Sequence, residues 1–204
     1  YEHHFYDALI TETTFPTLDG SSKEAAYLKF KFQPERVHQK AGGGQSINDT
    51  NVPEKQKLWL CSSFRLTIDN VAGLDKVNKL DSFTVKQGIK QFYTGQDPFP
   101  QLEPTKIEFP NITGTIAQGY GYGLQKWYDQ CIAAGMRDEQ SKRNGAIEFL
   151  GPDKQKVLFR IRLEECGLLR YNIEPSTAHA DQVKRAKFEI YVSNMMIDST
   201  DGLA

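Results

Sequence analysis

Residues 105–136 read TKIEFPNITGTIAQGYGYGLQKWYDQCIAAGM, and the change of period inside this stretch decides the fold. In its first half Ile107 and Phe109 alternate with charged neighbours, and beyond Pro110-Asn111 the residues Ile112 and Ile116 continue an extended, β-branched segment. In its second half Leu124, Trp127, Tyr128, Cys131 and Ile132 fall at helical spacing, one apolar stripe opposite Gln125, Lys126, Asp129 and Gln130. The spacing predicts one helix over about residues 120–135, with Leu124, Trp127, Tyr128 and Ile132 as its core side chains and Gly135 as its left-handed stop. Burying such side chains contributes about 1.5–3 kcal/mol each, so packing alone accounts for the stripe.

Outward from this helix the chain reads as strand and loop. Downstream, residues 146–150 are extended. Val157, Phe159, Ile161 and Leu163 alternate with Leu158, Arg160 and Arg162, residues 164–167 form a turn or bulge, and residues 168–173 form a short strand. Ala186, Phe188, Ile190 and Val192 mark a long last strand. Upstream, the alternation from Leu58 through Leu60, Ser62, Phe64 and Leu66 to Ile68 predicts one long strand, and Phe83, Val85 and Ile89 form the inner side of another. The Pro-rich residues 92–104 and the Gly/Asn-rich residues 41–53 read as loops. Leu28, Phe30 and Phe32 alternate with Lys29 and Lys31 as a half-buried strand, and residues 5–10 form a helical turn or two. About seven strands and one helix follow residue 58, joined by turns rather than crossover helices. The fold class is therefore mainly β: an antiparallel β-barrel or sandwich with one flanking α-helix. The expected division is an N-terminal extension (1–57), the barrel (58–198) and a polar tail (199–204). A weak echo of residues 5–10 in 127–132, of 28–32 in 159–163 and of 57–63 in 187–193, in the same order, raises the alternative that the extension is a partial repeat of the fold.

Composition narrows the function. Lys+Arg 25 against Asp+Glu 26 leaves a net charge of −1, so nothing global draws the chain to phosphate backbones or anionic membranes. No apolar run reaches the roughly 18 residues of a membrane helix. Cys61, Cys131 and Cys166 are odd in number, far apart and set in apolar patterns, which points to reduced, core-packing thiols. No Cys/His spacing offers a metal site, and His3, His4, His38 and His179 lie near no arrangement of catalytic type. The glycines of residues 119–123 lack both the phosphate-loop ending and the dinucleotide spacing, and read as a strand-to-helix turn. Glu164 and Glu165 are adjacent and so face opposite ways on a strand. Arg160 and Arg162, like Lys184 and Arg185, read as solvated or intersubunit charge. No catalytic residues, cofactor or metal are expected.

The order of elements over residues 62–198 resembles the tail tube proteins of contractile phages and the tube proteins of bacterial contractile injection systems. The residues that carry the resemblance are FRLTIDNVAGL (64–74), KLDSFTVKQG (79–88), IEFPNITGTI (107–116), LQKWYD (124–129), NGAIEF (144–149), VLFRI (157–161) and the long last strand. That family is similar in fold to the haemolysin-coregulated ring protein of type VI secretion. The resemblance implies a closed barrel with one flanking helix and no enzymatic activity. It implies hexameric rings stacked into a conduit, and a role either as the repeating ring or as a specialised ring near the baseplate. The implied partners are further copies of the chain, sheath or baseplate proteins, and DNA or protein cargo that passes through without specific binding. Assembly in the bacterial cytoplasm and residence in a virion tail or injection particle follow from the same likeness. Loop and strand position puts forward Phe92, Tyr93, Phe99 and Leu102, with Gly42, Gly43, Gly44 and Ile47, as intersubunit contacts. The alternative is a monomeric β-sandwich binding module that uses the 41–53 and 92–104 loops.

Overall fold

The computed structural model describes residues 1–44, 59–96, 98–133, 135, 142–175 and 183–199. In chain order the elements are β1 (Glu2–Tyr6), β2 (Leu9–Phe15), β3 (Leu18–Asp19), β4 (Lys29–Gln33), β5 (Arg36–Lys40), β6 (Phe64–Ile68), β7 (Val77–Leu80), β8 (Phe83–Phe92), β9 (Gln101–Glu108), β10 (Ile112–Ala117), α1 (Tyr122–Tyr128), β11 (Arg143–Leu150), β12 (Val157–Ile173), β13 (Arg185–Tyr191) and β14 (Asn194–Ser199). They fall into two units, and the division lies inside β2 and β8.

The larger unit comprises residues 15–27, 58–83 and 109–204. Alternation puts Leu66, Ile147, Ile161, Phe188 and Ile190 on one side of an antiparallel sheet in the order β3-β7-β10-β13-β12-β11-β6, and all five are fully buried. The ends of the sheet meet through the segment before β6: the Asp19 amide donates to the Cys61 carbonyl (3.1 Å), the Ala26 amide to Trp59 (2.7 Å), and Ala25 bridges Leu60. The result is a nearly closed barrel with one short α-helix among the described residues. Its core contains stacked Phe149 and Phe159 (4.1 Å between centroids), with Trp59 edge-on to both. Such pairs add about 0.5–1.5 kcal/mol each beyond area burial.

β12, with 17 residues, is the spine of this unit. β11 pairs with it over Arg143 to Leu150, while β13 and β14 follow one another along its other side, broken only at Val192-Ser193. The expected interruption at 164–167 is a bulge and not a chain reversal. Glu165 takes a positive φ of 52°, and the register with β11 shifts there. The helical segment is broadly where expected but divided: a 3-10 turn over Gln118–Tyr120, α1, then a wide π-type turn over Asp129–Ala133. No side-chain hydrogen bond caps its start, and the regular helix spans 7 residues. Leu124 and Trp127 are buried, whereas Tyr128 is only half-buried, and the Ile132 side chain lies outside the described residues.

The smaller unit comprises residues 1–14, 28–57 and 84–108. It holds a four-stranded sheet, β4-β2-β8-β9, and a two-stranded ribbon, β1-β5. Residues 5–10 are strand and not helix. β1 and β2 each find an antiparallel partner, and Asp7, with φ 51°, turns the chain between them. Residues 127–132 are helical, so this one pair of the echo differs in structure. The strand expected from Leu58 to Ile68 is also corrected: residues 61–62 form a turn, and only Phe64–Ile68 run in the sheet. Residues 105–117 are likewise two strands of different sheets, separated at 109–111. The 92–104 loop is shorter than expected, since β8 runs to Phe92 and β9 begins at Gln101 with Pro104 inside it. At a sheet edge a missing amide proton costs no ladder bond. Much of the 41–53 loop, including Ile47, lies outside the described residues.

Candidate assembly surfaces

Among the described residues no group of three or more His, Cys, Asp or Glu side chains is arranged to hold a metal. What the folded chain offers is an ordered charged row and several open apolar surfaces.

The row crosses four strands of the barrel. Register places Arg65 (β6) beside Glu148 (β11), Glu148 beside Arg160 (β12), and Arg160 beside Asp198 (β14). The Arg65 Nε donates to Glu148 Oε2 at 2.7 Å, and Arg160 donates through Nε and Nη2 to Oε1 at 3.0 and 2.6 Å. Asp198 is held from the diagonal by Arg162, at 2.7 and 3.0 Å. Glu148 is 6% exposed. Burial alone would push its carboxyl up, but the hydrogen bonds and charges of Arg65 and Arg160 outweigh that and hold it below the usual carboxylate range. A depressed folded value means that the group stabilises the fold above its unfolded value and that this is lost as pH falls through the folded one. Glu148→Ala leaves two arginines facing each other, although both remain wet at their outer ends. The expected loss is about 2–3 kcal/mol, below the roughly 3–5 seen for fully buried pairs. Urea unfolding at pH 7 measures it. Between about pH 5 and 3, Glu148→Gln should show a shallower fall in stability than the wild type.

All three cysteines are free thiols. Cys61 and Cys166 are buried and Cys131 is half-buried. Burial pushes the Cys166 thiol up to about 12, and also raises Cys61 and Cys131, the latter against the opposing charge of Arg143. In the native protein a thiol reagent should therefore label Cys131 slowly and Cys61 and Cys166 only on unfolding. Rapid native labelling of Cys166 would contradict its placement.

The residues put forward as contacts are scattered in character. Tyr93 and Phe99 are exposed, Phe92 is half-buried, and Gly42, Gly43 and Gly44 are exposed. Leu102 is buried, and its amide donates to Glu35 Oε1 at 2.6 Å.

Two surfaces were missed. The first is one face of the sheet in the smaller unit. The Thr14 and Thr84 hydroxyls hydrogen-bond (2.9 Å), and Lys31 meets Glu12 (3.3 Å), so these residues share a charged face with Lys29 and Lys86. Ile10 and Phe30, Phe32 and Ile107 then occupy the other face, and Phe5 of β1 stands edge-on to Phe32 at 5.2 Å. All five are about half exposed. The alternation of Lys29-Phe30-Lys31-Phe32 announced a two-sided strand but not that its apolar side would stay uncovered. The second surface is β14. Among the described residues it pairs only with β12, leaving an open strand edge with Met196 and Ile197 exposed. No alternation announced it, because NMMIDS carries no β pattern and owes its strand form to the register of β12.

A nearly closed antiparallel barrel with one short flanking helix is the fold of chains in contractile injection systems. A chain of the sheath/tube terminator of the PVC extracellular contractile injection system superposes with a TM-score of 0.53 at 11% identity, covering 67% of this chain and 93% of that one. A chain of the PVC sheath-tube complex gives 0.51 at 10% identity, with 67% and 88% covered. A chain of the anti-feeding prophage baseplate gives 0.50 at 11% identity, with 68% and 92% covered. No family model matches the chain, and no curated protein matches it in sequence. At such identities the likeness is one of fold, and it agrees with the resemblance read from the sequence.

Proposed function

We propose that this chain is a non-enzymatic structural subunit of a contractile tail or injection particle, closing into six-membered rings that stack into a hollow conduit. The observation that carries the reading is the barrel itself, which is similar to chains of a sheath-tube complex, a tube terminator and a baseplate. The open β14 edge and the uncovered sheet face support it, since both are surfaces that neighbouring copies would cover. A net charge of −1 suits a conduit, because a strongly basic lumen would hold DNA through counterion release.

In this reading the ring is either the repeating unit of the tube or a specialised ring next to the baseplate. Its partners are further copies, then sheath or baseplate proteins, and cargo passes without specific binding. It is assembled in the bacterial cytoplasm and resides in the finished particle. Tyr93 and Phe99, in the β8–β9 connection, together with Gly42, Gly43 and Gly44, are the contacts between copies that remain exposed in the protomer. Electron microscopy of the concentrated protein should show six-fold rings or stacked tubes. A field of single compact particles at every concentration would return the chain to the class of monomeric binding modules.

A further inference from the structure

The two open apolar surfaces differ in kind. The sheet face of the smaller unit is aromatic, built on Phe30 and Phe32 of β4 with Ile10 opposite Phe32 and Phe5 edge-on to it, while Ile107 lies on the same face at the far edge strand, opposite Gln87. The β14 surface is narrow: register sets Met195 beside Leu163 and Ile197 beside Ile161 on one face of the strand and Met196 beside Arg162 on the other, with Met196 and Ile197 exposed and Met195 half-buried. Two identical patches would pair about a two-fold axis and stop at a dimer, whereas two unlike patches on one chain give a head-to-tail contact that repeats until it closes. We propose that they are the two halves of one contact, in which the aromatic sheet face of one copy receives the β14 strand of the next. This inference rests on the ring reading and specifies how neighbours in the ring meet.

Chemistry, charge and size agree with it. Thioethers pack favourably against aromatic rings and adapt to their shape, and Met195 shares the face of β14 that carries Ile197. The one charge of that strand, Asp198, is already held by Arg162, so the strand brings no unpaired ion to an apolar face. The outer strands of the four-stranded sheet are protected: β9 carries Pro104 and Lys106, and β4 carries Lys29 and Lys31. β14 has neither lysine nor proline. With roughly 150–250 Å² per aromatic side chain, the four clustered half-exposed residues Phe5, Ile10, Phe30 and Phe32 offer on the order of 350 Å². That is as large as the apolar patches monomers usually leave in water, about 300–600 Å².

A head-to-tail contact is tested by complementation. The face variant carries Phe30→Glu and Phe32→Glu, and the edge variant carries Met196→Lys and Ile197→Lys. All four positions are exposed, so both variants should melt with the wild type. Sedimentation should find each variant monomeric alone and their equimolar mixture dimeric, because one intact face meets one intact edge and nothing can add further. A mixture that stays monomeric overturns the pairing of face with edge. Rings that survive in either variant also overturn it, yet leave the ring reading standing; a wild type that is itself monomeric overturns the ring reading. Independently of any loss of assembly, the double variant Phe30→Cys with Ile197→Cys should give a ladder of disulfide-linked oligomers on oxidation, and neither single variant should. Absence of the ladder in assembled protein contradicts the contact.

Discussion

Trp127→Ala should lower the free energy of unfolding by about 3–5 kcal/mol, the loss expected when a large buried aromatic side chain is truncated. Trp127 is 1% exposed, faces β12 with Leu124, and carries the Arg143 guanidinium over its ring at 5.2 Å. Arg143 in turn donates to the Asn70 carbonyl at 2.8 Å and to Gln130 at 3.0 Å, so the indole also seats a residue that ties the helix to the loop after β6. Against a domain stability of about 5–15 kcal/mol this loss is severe. Urea unfolding measures it, and a loss below about 1 kcal/mol would mean that α1 is an ornament of the barrel and not part of its core.

Gly123→Ala should destabilise the protein by about 2–4 kcal/mol, against the sign that helix propensity gives. Within α1, alanine in place of glycine ought to help by roughly 0.8–1 kcal/mol. A Cβ at Gly123, however, falls on the carbonyl oxygen of Ala72, with that residue's amide nitrogen at 2.8 Å and carbonyl carbon at 3.0 Å. All three are backbone atoms, which cannot step aside as the end of a long side chain can, and overpacking of this kind costs about 1–3 kcal/mol or more. The same denaturation experiment decides the sign. A gain in stability would show that the helix does not approach residue 72 so closely.

Much of the barrel was legible because its strands alternate cleanly. Phe159, Ile161, Leu163, Ala186, Phe188, Ile190 and Val192 are buried as their spacing required. The glycine-rich turn into the helix was legible as a turn, and Gly123 gives it a steric reason. The failures share one cause, pairing between residues far apart in sequence. Residues 5–10 look like the start of a helix, but Phe5 meets Val37 and Ile10 meets Phe32, so they fold as strands. The strand at 101–108 was hidden by Pro104, which an edge position tolerates. β14 has no pattern of its own and was invisible for the same reason. The charged row around Glu148 could have been suspected from Arg160 and Arg162, but its third strand, bearing Arg65, lies 83 residues before the glutamate in the chain. Open surfaces are harder still, because Phe30 and Phe32 read in sequence as ordinary core residues.

The mass of the native particle bears most directly on the account as a whole. Native mass spectrometry of the purified chain at micromolar concentration should find an assembly of about six times the 23.2 kDa protomer, alone or stacked in multiples of that ring. A single 23.2 kDa species across the whole concentration range, with the fold intact by circular dichroism, would contradict it.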